Sequence, residues 1–538
     1  MSIWDWIIII TYIVFLIWLG WYLGRRQTDT VDYYLGSRKL PWWGIGFSTM
    51  ATQLGAISFI SAPAFVGLKP EGGLIWLGYE FAVPFAMIIL VYRVIPIFHK
   101  LNIVSIYEYL EMRFDRKTRT LVSIIFLVSR GLATGVGIYA AAIVVSVILN
   151  VPLILTVIII GTVALIYDFM GGIKAVIYSD VIQMAILFLG IIICTIYGLF
   201  YIDGWNSIEN TLSRDRLTAV NYSIFGIKSG EGFGFYPLLF GGFFLYLAYY
   251  GFDQSQVQRE ISARSISDSR KSLFMNGIVR YPLVLSYCIL GLVIGTFALK
   301  NHEFMNLIPA GSIDYMVPLF VVNYLPPGLT GFIVIAILAA SMSTLDSALN
   351  SLSASTTKDI IKSYFIKDST EGKMFFCSKL STLFWGVFCT TFAFLVGKIS
   401  ETVLEAINMI GSIFYGPIAA VFLLGMVTRR TTSKGVFLGG LVGVIGNVII
   451  AFGALPLSWL WWNVTGFLLT VGVGYISSLL DKSEPSERFI QERKTNYPVF
   501  DIKFDKKSDY KWIIAYLILF AYGIGIIIFS TKIHKIIF

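Results

Sequence analysis

The chain has 538 residues, of which 57% are hydrophobic, 16% aromatic and only 14% charged, with a mean hydropathy of +0.77. Soluble domains carry about 25% charged residues, so a soluble globular protein is excluded, and apolar runs of about 20 residues recurring from end to end specify an all-α polytopic membrane protein. The formal net charge of +9 does not point to nucleic acid, because most Lys and Arg lie in alternate loops, where orientation in the bilayer places them.

The first apolar run, Ile3 to Leu23, precedes any basic residue and ends in Arg25-Arg26. A cleaved signal has its basic residues first and small residues at the cut. This run is therefore expected to be a retained span with its N-terminus outside. Later basic clusters, His99–Arg119, Arg259–Lys271, Lys358–Lys373, Arg429–Lys434 and Lys482–Lys511, then fall in the cytoplasm. The loops at Lys69-Pro70, Asn150–Pro152 and Leu455-Pro456 fall outside. The pattern gives about fourteen spans with both ends outside. They are expected at 4–24, 42–68, 73–98, 119–149, 152–170, 174–202, 236–258, 272–299, 328–357, 375–398, 402–427, 434–454, 456–480 and 511–532. The longest polar segments, 203–235 outside and 481–510 inside, read as loops, so 1–538 forms one membrane domain. Cys194, Cys288, Cys377 and Cys389 stand singly and the three His are far apart. That is neither a metal-site nor a disulfide spacing.

The second span, WWGIGFSTMATQLGAISFISAPAFVGL, is interrupted by Gly44, Gly46, Gly55 and Gly67, with Pro63 late in the run. Ser48, Thr49, Thr52, Gln53 and Ser58 make its centre polar. Glycines and polar groups at mid-membrane predict a broken helix whose freed carbonyls line a site; the alternative is a kinked helix with a small-residue interface. The third span carries Glu80 in an apolar run, the fourth Arg130, the sixth Asp180 near its cytoplasmic end, and the eighth Arg280. Ionisable residues within a span are costly and mark function by default; a buried ion pair or snorkelling is the plainer role. For Asp180 the plainer role is a solvated helix-end carboxylate or a pair with Lys174.

The ninth span ends in AASMSTLDSALNSLSASTTKD (339–359), rich in hydroxyls and carrying Asp346. Ala340, Ser343, Thr344 and Ser347 fall at i, i+3, i+4 and i+7, one helical face. Such a face is either a small-residue packing seam, with hydroxyls bonded back to their own helix, or one wall of an oxygen-lined site for a hard monovalent cation. A channel would show a repeated filter or rings of like charge. A membrane enzyme would show a nucleophile, base or metal set. Neither stands out in the sequence.

Six segments in order resemble the sodium/solute symporter family, which includes bacterial sodium/galactose and sodium/sialic acid symporters. They are FSTMATQLGAISF in the second span, YEYLEMRFDRKTR (107–119) after the third and MGGIKAVIYSDVIQ (170–183) opening the sixth. GFDQSQVQR (251–259) closes the seventh, the stretch at 339–359 is in the ninth, and GPIAAVFLLGMVTRRTT (416–432) marks the eleventh. The resemblance covers about residues 4 to 480. It implies a core of two inverted five-helix repeats, about 42–202 and 236–427, with peripheral helices 4–24, 434–454, 456–480 and 511–532. It implies sodium-coupled import of a small solute by alternating access, with no enzymatic activity, by a monomer in the cell's plasma membrane.

The same resemblance assigns residues. Sodium is expected on the backbone carbonyls of Ala51, Leu54 and Ala340 and the hydroxyls of Ser343 and Thr344. A second sodium is implied at Asp180 with Ser347; here a carboxylate, Asp346, stands at one of the family's hydroxyl positions. Gln53, Glu80, Tyr246 and Arg280 fall on solute-binding positions of the galactose symporters, and Tyr249 on their inner gate. Arg130 lies one turn from Ala133, where the sialic acid symporters have an arginine. Neutral sugars or polyols are the first choice of solute, sugar acids and small monocarboxylates the second.

Overall fold

The computed structural model describes residues 1–25, 30–366, 370–396, 402–481 and 506–537. Among them the chain is helical, with β-structure limited to isolated bridges. Twelve helices are long and apolar enough to cross a membrane: Ile3–Gly24, Leu74–Leu101, Arg116–Leu149, Gly172–Tyr201, Phe235–Phe252, Ile266–Lys300, Leu329–Phe365, Glu371–Ala393, Val403–Val427, Ser433–Gly453, Trp459–Leu480 and Tyr510–Thr531. A further crossing is the pair Trp42–Gln53 and Ala56–Gly67, bent by 51° at its break. The shorter apolar helix Leu153–Ile166 stands where the fifth span is expected. Among the described residues that makes thirteen candidate crossings; with the short helix in fifth place, the segments are numbered below, in chain order, as the expected spans are. The chain is thus the multi-pass helical membrane protein that its composition specifies.

The spans differ in how much protein surrounds them. In the ninth, 83% of the apolar window is buried, against 22–33% in the first, twelfth, thirteenth and fourteenth. The ninth is therefore central, packed on the first, fourth and sixth spans, while the other four present Trp, Ile and Leu to lipid. Its N-terminus is anchored by Asp5 of the first span, whose Oδ1 accepts from the Gly328 and Gly331 N–H groups at 2.8 Å each. That satisfies donors with no partner within their own helix. The second span meets the eighth through glycine: a Cβ on Gly67 would lie 2.6 Å from the Gly291 carbonyl oxygen. Small residues allow this backbone-to-backbone approach where no hydrophobic force draws helices together.

Three features differ from the expected spans. The seventh does not run unbroken to 258: it stops at Phe252, and a separate helix, Gln254–Glu260, follows. Asp253 causes the stop, since its carboxylate caps the new helix by accepting from the Ser255 N–H at 2.8 Å. The ninth continues as a wider turn over Thr356–Phe365, past its expected end at 357. A short apolar helix, Ile313–Tyr324, lies in the loop before the ninth span and has no counterpart among the expected elements. The loop expected at 481–510 lies outside the described residues from 482 to 505.

Candidate ion and solute site

The broken second span sets the site. Its first half closes with the Leu54 N–H on the Met50 carbonyl at 3.0 Å, and the second half opens with Ser58 N–H on the Gly55 carbonyl at 3.0 Å. Between them Leu54 leaves the helical region at φ −91°, ψ 57°. The carbonyls of the last turn, Ala51 to Gln53, then have no N–H ahead of them in a regular ladder. The ninth-span hydroxyl face lies against this break. Thr344 Oγ1 donates to the Thr52 carbonyl at 3.0 Å and lies 3.3 Å from the Ala340 carbonyl. A Cβ on Gly55 would come within 2.6 Å of Thr344 Oγ1, so only glycine lets the two segments meet.

The packing-seam reading holds for part of this face. Ser341 and Ser351 bond back to the carbonyls of Ile337 and Ala348, at 2.7 and 2.8 Å. Thr344 and Ser347 do so too, but they also reach across to the second span: Ser347 Oγ lies 3.1 Å from Thr52 Oγ1. Of the five residues assigned to the first sodium, Ala51 and Leu54 lie at the break and Ala340, Ser343 and Thr344 on the facing helix, all buried or nearly so. Carbonyl and hydroxyl oxygens without a fixed charge among them are hard-cation donors.

Asp180, wholly buried, lies next to this pair of segments and accepts from Ser48 Oγ. Its charged partner is Arg259, at 3.6 Å from Oδ2, on the short helix after the seventh span. Arg259 is also wholly buried. It donates from Nε to Ser48 Oγ at 2.7 Å, from Nη2 to Ser347 Oγ and from Nη1 to the Ser255 carbonyl. Lys174, the alternative partner in the sequence reading, instead pairs with Asp32 at 2.6 Å. Asp346 is wholly buried on the ninth span beside Ser347.

A cavity of about 850 Å³, including its open mouth, adjoins the break. The structure brings Gln53, Glu80, Arg130, Tyr246, Tyr249 and Arg280 onto its wall from five different spans. Arg280 holds Glu80 from two sides, Nε to Oε2 at 3.0 Å and Nη2 to Oε1 at 3.3 Å, and Tyr246 Oη donates to Oε1 at 2.7 Å. Tyr250 Oη donates to Gln53 Oε1. Arg130 sits with Nη1 3.9 Å from Asp253 Oδ2 and its guanidinium 5.9 Å from the Tyr249 ring. Arg280 Nη1 and Arg130 Nε and Nη2 are buried with no hydrogen-bond partner among the described residues. Buried donors are almost always satisfied, so these three, on a cavity wall, call for an acceptor from outside the chain.

Sequence reasoning did not single out Trp76, Tyr287, Asn408 or Tyr415, which also line the cavity. Tyr415 stacks edge-on to Tyr249 at 6.0 Å and donates to Asp253 at 3.3 Å. Gln256 donates to Tyr249 Oη at 2.7 Å, so both tyrosines are held by side chains from the segment after the seventh span. Ala133, one turn from Arg130, lines the cavity as well.

The family model described as "Sodium:solute symporter family" matches residues 33–443. The sodium/sialic acid symporter NanT of Aliivibrio fischeri is 29% identical over 492 residues, 91% of this chain and 95% of that protein. A putative sodium-dependent multivitamin transporter of Drosophila melanogaster is 30% identical over 466 residues, 84% of this chain and 75% of its own length. The substrate-bound, outward-open structure of a Na+-coupled sialic acid symporter superposes with a TM-score of 0.81 at 26% identity, covering 89% of this chain and 98% of that one.

Proposed function

Because this chain belongs to the sodium:solute symporter family, we propose that it imports a small polyhydroxyl solute, a sugar or polyol, with sodium through the cavity at the second-span break. The reading rests on one observation: a buried carboxylate and guanidinium, Glu80 and Arg280, share the cavity wall with an Arg280 N–H that has no partner among the described residues. A solute with neighbouring hydroxyls donates to Glu80 and accepts from Arg280 at once. Gln53 and Tyr246 add an amide and a phenol within the same wall. Tyr249, with Tyr415, forms the inner gate on which such a solute rests. Sodium on Ala51, Leu54, Ala340, Ser343 and Thr344 ties the broken span to the ninth, so its binding shapes the cavity beside it. The two inverted repeats, about 42–202 and 236–427, supply the alternating access, and breaks in the first helix of each repeat, at Leu54 and Asp253, support that division. The transporter works as a monomer in the plasma membrane.

A second reading, a sugar acid or small monocarboxylate, is favoured by Arg130. Its free Nε and Nη2 are adjacent N–H groups, and such an edge accepts a carboxylate in two parallel bonds. A sugar acid would use both arginines. A thermal-shift screen of sugars, polyols, sugar acids and monocarboxylates, in sodium and in choline, tests the two. Stabilisation by a neutral sugar in sodium only is the expected result. Stabilisation by carboxylates alone selects the second reading.

A further inference from the structure

We infer that Tyr522 of the last span is a positioning residue for solute binding: its hydroxyl satisfies a backbone carbonyl that Pro282 leaves without a donor in the eighth span, and so holds the turn that carries Arg280 against Glu80. This role depends on the reading of Glu80 and Arg280 as solute-binding groups. Tyr522 is half-buried and is not among the residues lining the cavity. It also stands outside residues 33–443, the part that the family model matches.

The eighth span runs as one helix, Ile266–Lys300, with Pro282 inside it. In a regular helix the carbonyl of residue 278 accepts from the N–H of residue 282, and proline has none. Within a bilayer that carbonyl cannot turn to bulk water, and a proline is tolerated where a neighbour satisfies the group it frees. Here the neighbour is Tyr522, whose Oη donates to the Ile278 carbonyl at 2.7 Å. Arg280 lies midway between Ile278 and Pro282. Its guanidinium holds Glu80 at 3.0 and 3.3 Å, and its Nη1 is the buried donor without a partner among the described residues.

The last span is fitted to this turn at further points. A Cβ on Gly277 would lie 2.6 Å from Leu519 Cδ2, so glycine admits the wholly buried Leu519. Tyr281 Oη is 2.5 Å from Ser530 Oγ, and the Tyr281 ring stacks on that of Phe81 with centroids 6.3 Å apart. Tyr281 follows Arg280 and Phe81 follows Glu80, so the contact reaches both members of the ion pair. Only 22% of the apolar window of the last span is buried. A span facing lipid gains nothing from hydroxyls unless they bond to protein, and those of Tyr522 and Ser530 both bond to the Arg280 turn. Without the Tyr522 hydroxyl the Ile278 carbonyl must find another donor by shifting that turn. A displacement on the order of 1 Å in a binding group is enough to weaken its bonds.

The test uses the full-length protein in proteoliposomes with D-galactose and N-acetylneuraminic acid as probes, since Arg280 serves the neutral and the acidic reading alike. Tyr522→Phe removes the hydroxyl and keeps the ring. KM for whichever probe the wild type carries is expected to rise about five- to tenfold, with the maximal rate held. Binding of 22Na+ without solute is expected to stay at the wild-type value, which general damage to the fold would not allow. With Pro282→Ala the N–H of residue 282 returns to the ladder, and in that background Tyr522→Phe is expected to move KM by less than about twofold. An equal rise in both backgrounds overturns the inference. So does an unchanged KM in Tyr522→Phe alone, a result that needs no Pro282 variant to fold. If the wild type carries neither probe, the same variants are compared by Tm. Additive losses then overturn the inference, while non-additive losses support the bond from Tyr522 to Ile278 and put the failure in the solute reading.

Discussion

Ser343 and Thr344 are the two side-chain oxygens proposed for the sodium site, and Thr344 touches the broken span from the ninth. Replacing both by Ala removes two of about five hard donors, and at roughly 1–2 kcal/mol each this lowers sodium affinity by tenfold or more. Sodium activation of uptake measures it, and unchanged activation removes these residues from the site. Glu80 is harder to probe, because it also neutralises Arg280. Glu80→Gln keeps the shape and weakens charge-assisted bonds, so affinity for a neutral sugar is expected to fall about tenfold while sodium binding alone holds. If an anionic solute gains affinity instead, the carboxylate reading is correct. Loss of expression before either effect would make Glu80 chiefly an ion-pair partner. Glu260, outside the spans, offers a pH test. It is wholly buried and accepts from Thr49 at 3.1 Å and Ser272 at 2.9 Å. Burial pushes its carboxyl up to about 8, against the pull of Ser272, Thr49 and Arg259. A folded pKa above the ordinary value of 4.5 means that its stabilising contribution is complete below that value and is lost as pH rises through about 8. Glu260→Gln stays neutral throughout, so its Tm should match the wild type near pH 5 and exceed it above pH 8. A gap that does not widen with pH refutes this account of Glu260.

At the scale of elements, the second-span break was legible because its glycines and hydroxyls cluster at one point in an otherwise apolar run. Gly55 tests it: Gly55→Ala places a methyl 2.6 Å from Thr344 Oγ1. The break must then open or Thr344 must turn away, and sodium activation should weaken with solute affinity following it. Full sodium affinity in Gly55→Ala would show that the two segments do not need this contact. The break after the seventh span was not legible, because Asp253 reads from sequence as one polar residue in a cytoplasmic motif. Its capping of Ser255 depends on backbone geometry that no periodicity announces. The Asp180–Arg259 pair was missed for a related reason. Arg259 opens a basic cluster that counts toward orientation, and a residue counted as loop charge is not read as a buried partner for a carboxylate 79 positions earlier. Glu80 and Arg280 each stood out alone as costly residues in spans. The resemblance put both on solute-binding positions, but their contact, across 200 positions, came only from the fold.

For the whole molecule, coupling is the property to measure. In proteoliposomes an inward sodium gradient should drive solute accumulation, and an ionophore that collapses the gradient should abolish it. Accumulation that survives would separate transport from sodium. The uncharged carbonyl and hydroxyl oxygens proposed to hold sodium bear on how high such accumulation can climb. Oxygens without a fixed charge leave the ion's own charge uncancelled, and in a cycle of one sodium that ion supplies the whole driving force. With a neutral solute each cycle then carries one net charge inward, and the membrane voltage adds about 2.3 kcal/mol per 100 mV. At about 1.4 kcal/mol per tenfold that multiplies the sodium gradient by about fifty. With a monocarboxylate the charges cancel, the voltage contributes nothing, and the sodium gradient alone sets the ceiling. In such a cycle current becomes a reporter of solute class: electrogenic uptake for a sugar, electrically silent uptake for an acid.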